Sequence, residues 1–246
     1  MGRRLLSLIT LLSISGGGVA AASQDFVVQQ RTRMIATIRN IAATSGLRDH
    51  RRLDPVVLEA MDRVPRHLFV PEEQRSSAYD NRPLPIGHDQ TISQPYVVAL
   101  MTHLLRPKID DVVLEVGTGS GYQAAILSNL VQRVYTIEIV APLAREAEER
   151  LRALGYRNVE VRQGDGYAGW PQHAPFDGII VTAGAKKVPG PLLRQLKAGG
   201  RMVIPVGSNW TGQKLLLIEK QSNGQIHTRN MGDVLFVPLT GAGRER

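Results

Sequence analysis

Short apolar runs alternate with amphipathic segments from residue 112 onward, and this alternation predicts most of the architecture. The segments at 122–131 and 142–154 repeat apolar residues at helical spacing, whereas the shorter apolar runs are typical of buried strands. Strands that alternate with helices in this way indicate an α/β fold with a mostly parallel sheet and right-handed crossovers. The predicted strands of this region are Val112–Val116, Val134–Glu138, Val159–Val161, Phe176–Val181 and Met202–Val206.

The C-terminal part of the chain has a different pattern. Two further apolar runs, at 215–219 and 234–238, predict strands, and no helical pattern separates them. We therefore expect the sheet to end in antiparallel strands. Asn223-Gly224 lies between the two runs, and this dipeptide predicts a type I′ hairpin turn.

The N-terminal part predicts helices that precede the sheet. Apolar residues recur at helical spacing over 26–43, and another helix should run from about Ser93 to Leu105. Asp54-Pro55 is typical of an N-cap followed by proline at the first helical position. Repeated prolines predict an irregular segment over 64–92. The residues that the helix after Asp54 should bury are Val56, Val57, Ala60 and Met61.

The first 22 residues resemble a secretory signal. Arg3 and Arg4 precede an apolar stretch over 5–14, and small residues follow it. The stretch is short for a membrane span, and an ordinary apolar extension remains the alternative. We divide the chain into this segment (1–22), a helical region (23–106) and an α/β core (107–246), the last two forming one structural domain.

Composition narrows the possible functions. The 246 residues carry a formal net charge of +8, but the basic residues are dispersed and aromatic residues make up only 5%. A solvated basic surface is therefore favoured over a nucleic-acid site. The absence of cysteine excludes thiol nucleophiles and disulfides. The histidines have no ligand-like spacing, so we expect no metal.

A glycine-rich motif follows the first strand of the core and precedes a helix. A dinucleotide fingerprint would need a third glycine at 122 or 124, where the chain has Tyr122 and Ala124. The carboxylate that opens the motif would repel a pyrophosphate but would suit the ammonium and sulfonium of S-adenosylmethionine. The motif residues expected to bind this cofactor are Glu115, Gly117, Thr118, Gly119 and Gly121.

Acidic residues also follow the next two strands. Glu138 ends the second strand, where an acid accepts hydrogen bonds from ribose hydroxyls in nucleotide-binding α/β folds. Asp165, followed by Gly166, comes after the third strand and could accept a hydrogen bond from an adenine amino group. A β-turn aspartate is the alternative for Asp165, but the succession of such residues at strand ends favours a ligand site.

Several motifs, spread over residues 30–240, resemble those of the protein-L-isoaspartate O-methyltransferases. The most specific is Thr91-Ile92-Ser93-Gln94-Pro95. The others are 64–66, 69–70, 84–87, 113–122, 164–166, 174–177 and 236–239. The family often has Thr-Ala-Ala-Pro after the fourth strand, and here the chain departs from that pattern with Thr-Ala-Gly-Ala-Lys-Lys at 182–187.

The resemblance implies a Rossmann-like methyltransferase fold and a repair reaction. The free α-carboxylate of an L-isoaspartyl residue in a damaged protein takes the methyl group, and S-adenosylhomocysteine leaves. Ser93 would be the active-site serine, with Thr91 and Ile92 as adjoining substrate contacts. A simple N-cap at the start of the following helix is the alternative role for Ser93.

Other functions remain open from the sequence alone. The chain could be a methyltransferase for RNA or a small molecule, or an exported peptide-binding protein with an inactive cofactor site. We expect a monomer that binds isoaspartyl proteins, without nucleic acid and without stable membrane association once any signal is removed. Cofactor supply favours the cytoplasm, whereas residues 1–22 favour export.

Overall fold

The computed structural model describes residues 17–47, 50–208, 210 and 212–241, with side chains from residue 25 onward. Its helices are α1 Gly17–Thr44, α2 Pro55–Arg63, α3 Pro95–Leu105, α4 Tyr122–Ser128, α5 Ala141–Ala153 and α6 Gly190–Gln195. Its strands are β1 Leu84–Gly87, β2 Gln90–Ile92, β3 Val112–Val116, β4 Arg133–Glu138, β5 Val159–Gln163, β6 Phe176–Val181, β7 Leu196–Ser208, β8 Gly212–Lys220 and β9 Ile226–Val234. Short 3-10 turns occupy Arg66–Phe69, Glu72–Ser77, Gly166–Ala168 and Pro171–His173.

Seven strands form the central sheet in the order β5-β4-β3-β6-β7-β8-β9. The first five in this order pair in parallel, and β8 and β9 are antiparallel to their neighbours. The predicted combination of a mostly parallel sheet with antiparallel C-terminal strands is therefore confirmed. Side chains of successive strand residues point to opposite faces of the sheet, and helices pack against the apolar residues of both faces. Val113 accordingly belongs to the apolar cluster shared with α1 to α5, and Leu114 to the cluster shared with α6.

The last strand was predicted at the wrong place. Of the apolar run at 234–238, only Val234 belongs to β9, as its last residue, and Pro238 makes an isolated bridge to Gly184. The strand that pairs with β8 is the polar segment Ile226–Val234, which forms the exposed edge of the sheet. Backbone hydrogen bonds to β8 stabilise this edge strand, whose side chains are mostly exposed. A strand of this kind forms without a continuous run of apolar residues.

The turn at Asn223-Gly224 is not type I′. The Gly224 N–H donates to the carbonyl of Gln221 at 2.9 Å, so Ser222 and Asn223 occupy the central positions. A type I′ turn needs positive φ at both central residues, but only Gly224, at φ 84°, has positive φ here. The Gln221 N–H also donates to the carbonyl of Gln225, which leaves a three-residue loop with glycine in the left-handed position.

A two-stranded ribbon lies within the segment that was predicted to be irregular. Strands β1 and β2 pair antiparallel, and His88 and Asp89 connect them with φ of 52° and 56°. Positive φ at both positions is the requirement of a type I′ turn, although neither residue is glycine. Short strands flanked by prolines gave no recognisable alternation in the sequence. The ribbon matters because β2 leads directly into Ser93.

The N-terminal helices follow the predicted pattern with one error. The Asp54 carboxylate caps α2 by accepting the Val56 N–H at 3.0 Å, as predicted. Val56 itself is 56% exposed, because it lies on the solvent face of α2, and Leu58 is buried instead. Residues 1–16 of the signal-like segment lie outside the described residues, and from Gly17 the backbone belongs to α1. No helix in the described part of the chain is long and apolar enough to cross a membrane.

Candidate active site

A cavity opens at the carboxyl ends of β3, β4 and β6, where parallel α/β sheets commonly bind ligands. Its empty space, counted together with the open solvent at its mouth, is about 780 Å³. Residues 90–93, at the end of the ribbon, and 237–240 of the C-terminal segment face the strand ends across it. All predicted cofactor residues except Asp165 and Gly121 line it, as do Thr91, Ile92 and Ser93. The sheet edge thus brings together residues that are far apart in the sequence.

The glycine loop after β3 is shaped by backbone conformations that favour glycine. Gly117, Gly119 and Gly121 have φ of 98°, 52° and 88°. A Cβ on Gly117 would lie 2.4 Å from the hydroxyl oxygen of Thr182. That hydroxyl donates to the Gly117 carbonyl at 2.6 Å, so it cannot easily move away. The loop therefore requires glycine at 117 for both conformation and space.

Glu138 at the end of β4 holds the glycine loop in place. One carboxylate oxygen accepts the Gly119 N–H at 2.8 Å, and the other accepts the Val140 N–H at 3.0 Å. The residue is only 6% exposed and lines the cavity. Each carboxylate oxygen can accept more than one hydrogen bond. Glu138 can therefore brace the loop and still accept hydrogen bonds from a ligand.

Glu115 is the most deeply buried acid of the site. Its Oε2 accepts the Thr136 hydroxyl at 2.6 Å, and the Thr118 hydroxyl lies 2.7 Å from that of Thr136. Its Oε1 is buried and has no hydrogen-bond partner among the described residues. The pKa of Glu115 is raised to about 8. Burial is the main cause, the hydrogen bond from Thr136 lowers the pKa, and the negative charge of Glu138 adds to the rise. A buried, unpartnered carboxylate oxygen beside a cavity fits a cationic ligand group.

After β5, the cavity wall contains Gly166 and not the neighbouring acid, Asp165. A Cβ on Gly166 would lie 2.3 Å from Cγ1 of Val116, so the backbone approaches β3 closely. The Asp165 carboxylate accepts the Tyr167 N–H at 2.9 Å and caps the short turn that follows. Asp165 thus stands behind the cavity wall, and Gly166 lies in it.

Ser93 lies at the junction of β2 and α3 without capping the helix. The N-cap of α3 is Gln94, which makes no side-chain cap hydrogen bond, and the helix begins at Pro95. The capping alternative for Ser93 is therefore wrong. Its hydroxyl has no hydrogen bond within the described part of the chain, and the residue lines the cavity. Its carbonyl accepts a hydrogen bond from the Arg66 guanidinium at 2.7 Å.

The cavity also contains residues that the sequence did not single out. Ile139, an apolar residue that is 37% exposed, directly follows Glu138, and this position after a strand acid was its only local signal. The wall at 237–240 depends on Gln213, whose side-chain amide bonds both the N–H and the carbonyl of Phe236 at 2.8 and 2.9 Å. A Cβ on Gly184 would lie 2.5 Å from that amide nitrogen. Gly184, in the run at 182–187 that differs from the family pattern, therefore leaves room for the side chain of Gln213.

Fold and cavity together are those of the Rossmann-like S-adenosylmethionine-dependent methyltransferases. A sequence model of the protein-L-isoaspartate(D-aspartate) O-methyltransferases matches residues 38–244. The chain belongs to this family. Among the described residues, no three His, Cys, Asp or Glu side chains gather as metal ligands would.

Curated relatives and solved structures agree with this assignment. Protein-L-isoaspartate O-methyltransferase 2 of Syntrophobacter fumaroxidans is 56% identical over 95% of each chain. The enzyme of Opitutus terrae is 52% identical over 97% of this chain and 98% of its own. A solved protein-L-isoaspartate O-methyltransferase superposes with a TM-score of 0.76 and 26% identity, covering 86% of this chain and 66% of that one. A putative one from Plasmodium falciparum, in complex with S-adenosyl-L-homocysteine, gives 0.68 and 25%, covering 84% and 97%.

Proposed function

We propose that this chain transfers the methyl group of S-adenosylmethionine to the α-carboxylate of L-isoaspartyl residues in damaged proteins. The observation that carries the proposal is one cavity with two unlike walls. The strand-end wall has the glycine loop and buried acids, and the opposite wall has Thr91, Ile92 and the unbonded hydroxyl of Ser93. Two substrates can therefore meet between the walls.

The strand-end wall fits the cofactor. The unpartnered Oε1 of Glu115 suits its cationic amino-acid end, and Gly117, Thr118, Gly119 and Gly121 form the loop beside it. Glu138 would accept the ribose hydroxyls through lone pairs that its two backbone bonds leave free. Gly166 would lie against the adenine end. A bond from the adenine amino group to Asp165 stays a prediction, since that carboxylate caps the turn behind the cavity wall and would have to turn toward the ligand. The cofactor supplies a methyl group on a sulfonium.

The opposite wall would bind the carboxylate that accepts the methyl group. A carboxylate is ionised at neutral pH, so the reaction needs no strong general base, and the protein contributes alignment. The Ser93 hydroxyl would donate to one carboxylate oxygen and direct the other at the methyl carbon, with Thr91 and Ile92 beside it. Loss of water from the bound carboxylate is offset by these donors. The resulting methyl ester closes to a succinimide, which opens partly to normal aspartate.

A methyl-transfer assay with paired peptides tests the proposal. One peptide carries L-isoaspartate and its twin carries aspartate at the same position, and labelled methyl ester is measured for both. We expect label on the isoaspartyl peptide only. Label on neither peptide, or equally on both, would refute the proposed function, and transfer to tRNA instead would favour the RNA alternative.

Replacing Ser93 by alanine tests the substrate wall. We expect kcat/KM for the isoaspartyl peptide to fall ten- to hundredfold, that is by about 1.5–3 kcal/mol, because a bond to a charged group is lost. Affinity for S-adenosylmethionine should stay unchanged. Ser128→Ala is the matched control, since its hydroxyl bonds only the carbonyl of Ala125 at the end of α4. Full activity of Ser93→Ala would show that the Ser93 hydroxyl does not bind the substrate carboxylate.

We also propose that the enzyme works as a cytoplasmic monomer, with neither nucleic acid nor membrane as a partner. The cofactor is a cytosolic metabolite, which supports this location, whereas the signal-like residues 1–22 support export. N-terminal sequencing of the native protein distinguishes the two locations. Size-exclusion chromatography with light scattering tests the oligomeric state.

A further inference from the structure

Arg66 is a buried cation that has no acidic partner among the described residues. The residue is 0% exposed, and in the described part of the chain no carboxylate lies within salt-bridge distance of it. Burial lowers the pKa of Arg66 and the neighbouring Tyr122 raises it. Among the described residues, no acceptor lies in hydrogen-bond geometry with its Nη1. A buried charge of this kind is costly, and an apolar side chain of similar volume often fills such a space with equal or greater stability. Stability alone therefore gives no reason for an arginine here.

The guanidinium connects the two walls of the active site. Its Nη2 donates to the Ser93 carbonyl at 2.7 Å, and its Nε donates to the Ala78 carbonyl at 2.7 Å. Its central carbon lies 4.7 Å from the ring centroid of Tyr122, the residue that opens α4 directly after the glycine loop. One rigid group thus contacts the backbone of the substrate wall and the helix that carries the cofactor loop.

The hydrogen bond to Ser93 also determines the direction of a backbone donor. The Ser93 carbonyl and the Gln94 N–H belong to one trans peptide unit, so they point in opposite directions. The N–H of Gln94 therefore points away from Arg66, and no acceptor for it occurs within the described part of the chain. A cation bound to the carbonyl polarises the same peptide unit and strengthens this N–H as a donor.

We propose that Arg66 is a positioning residue for methyl transfer, which holds the Ser93–Gln94 peptide unit so that the Ser93 hydroxyl and the Gln94 N–H meet the substrate carboxylate together. This inference rests on the function proposed above. Arg66 touches neither substrate in this scheme. It acts through the backbone of Ser93, and its positive charge favours an anion on the far side of the peptide unit.

Two substitutions separate positioning from packing. Arg66→Lys keeps the charge but cannot bond both carbonyls as a planar fork does, and Arg66→Met keeps much of the volume without charge. Arg201→Met is the control, because Arg201 donates to the Leu104 carbonyl, at the other end of α3 from Ser93, and also pairs with Glu219. For each variant, calorimetry gives the S-adenosylmethionine affinity and the fraction of binding sites. Activity on the isoaspartyl peptide is then expressed per binding site.

We expect kcat/KM per binding site to fall in the order wild type, Arg66→Lys, Arg66→Met, by about tenfold or more for methionine, while cofactor affinity changes less than about twofold. Arg201→Met should lower thermal stability and leave kcat/KM per site unchanged. Unchanged kcat/KM in the Arg66 variants would overturn the proposal. Loss of cofactor binding in both variants would also overturn it, since Arg66 would then be needed for the folded structure as a whole. A wild-type enzyme that is inactive on isoaspartyl peptide would instead refute the proposed function, before any variant is compared.

Discussion

Replacing Glu115 by glutamine should remove a large pH dependence of stability. The carboxyl group is fully buried, and its burial raises the pKa from the usual 4.5 to about 8. Between these values the folded protein keeps a proton that the unfolded chain has lost, so the free energy of unfolding falls as pH rises. The contribution is complete below pH 4.5 and is lost as pH passes through about 8. Glutamine is neutral throughout and has no such dependence.

The size of the effect follows from the shift. Each pH unit inside the window changes the free energy of unfolding by about 1.4 kcal/mol, so the change from pH 5 to pH 8 is on the order of 4 kcal/mol. The desolvation cost of the ionised carboxylate is the cause, since only the Thr136 hydroxyl stabilises it and Glu138 repels it. A cationic ligand at Oε1 should reverse the cost, so cofactor binding near neutral pH should release a proton.

Urea unfolding at pH 5, 6, 7 and 8, without cofactor, measures the difference between wild type and Glu115→Gln. Glu149→Gln is the control, since Glu149 is exposed on α5 and forms no ion pair within the described part of the chain. Calorimetry of cofactor binding in buffers with different ionisation enthalpies measures the released proton. Parallel stability curves for wild type and Glu115→Gln would refute the reasoning, because Glu115 would then not titrate in this window.

Two further substitutions test the cofactor wall. Glu138→Ala should weaken S-adenosylmethionine binding by about 1.5–3 kcal/mol in calorimetry, because hydrogen bonds to a charged group are lost. Glu149→Ala, at an exposed position, should leave the affinity unchanged. Equal affinities of the two variants would show that Glu138 does not bind the cofactor. Gly117→Ala should destabilise the protein more than Gly155→Ala in urea unfolding, because both have positive φ but only the Cβ at 117 meets Thr182. Equal losses would show that conformational strain accounts for the whole effect at Gly117.

The sequence predicted the parts of the site that depend on local pattern. The strand ends that carry Glu115 and Glu138 follow from apolar runs, and the glycine loop follows from its spacing. Parallel pairing then brings those ends to one edge, whatever the length of the connecting helices. The motif around Ser93 was recognised by resemblance, because nothing in its local pattern distinguishes a substrate contact from a helix cap.

The parts that the sequence missed depend on contacts between distant segments. Pattern alone placed a strand at 234–238, but the chain leaves the sheet after Val234. Gln213, 23 positions from Phe236, holds it there by hydrogen bonds to the Phe236 backbone. Arg66 was noticed only as part of the family-like motif at 64–66, and nothing in the sequence indicated a role for it, since an arginine is normally exposed. Its burial becomes visible only when Ala78, Ser93 and Tyr122 are assembled around it.

The wall formed by residues 237–240 has a consequence for biosynthesis. Chains emerge from the ribosome in sequence order, and N-terminal units can begin to fold before the rest is made. A nascent chain that has reached the end of β8 already contains the glycine loop and Ser93, but Phe236 has not yet joined Gln213 and the cavity lacks its last wall. The cavity cannot be complete before residues 237–240 have been made, so we expect a chain that terminates after β8 to lack methyl-transfer activity.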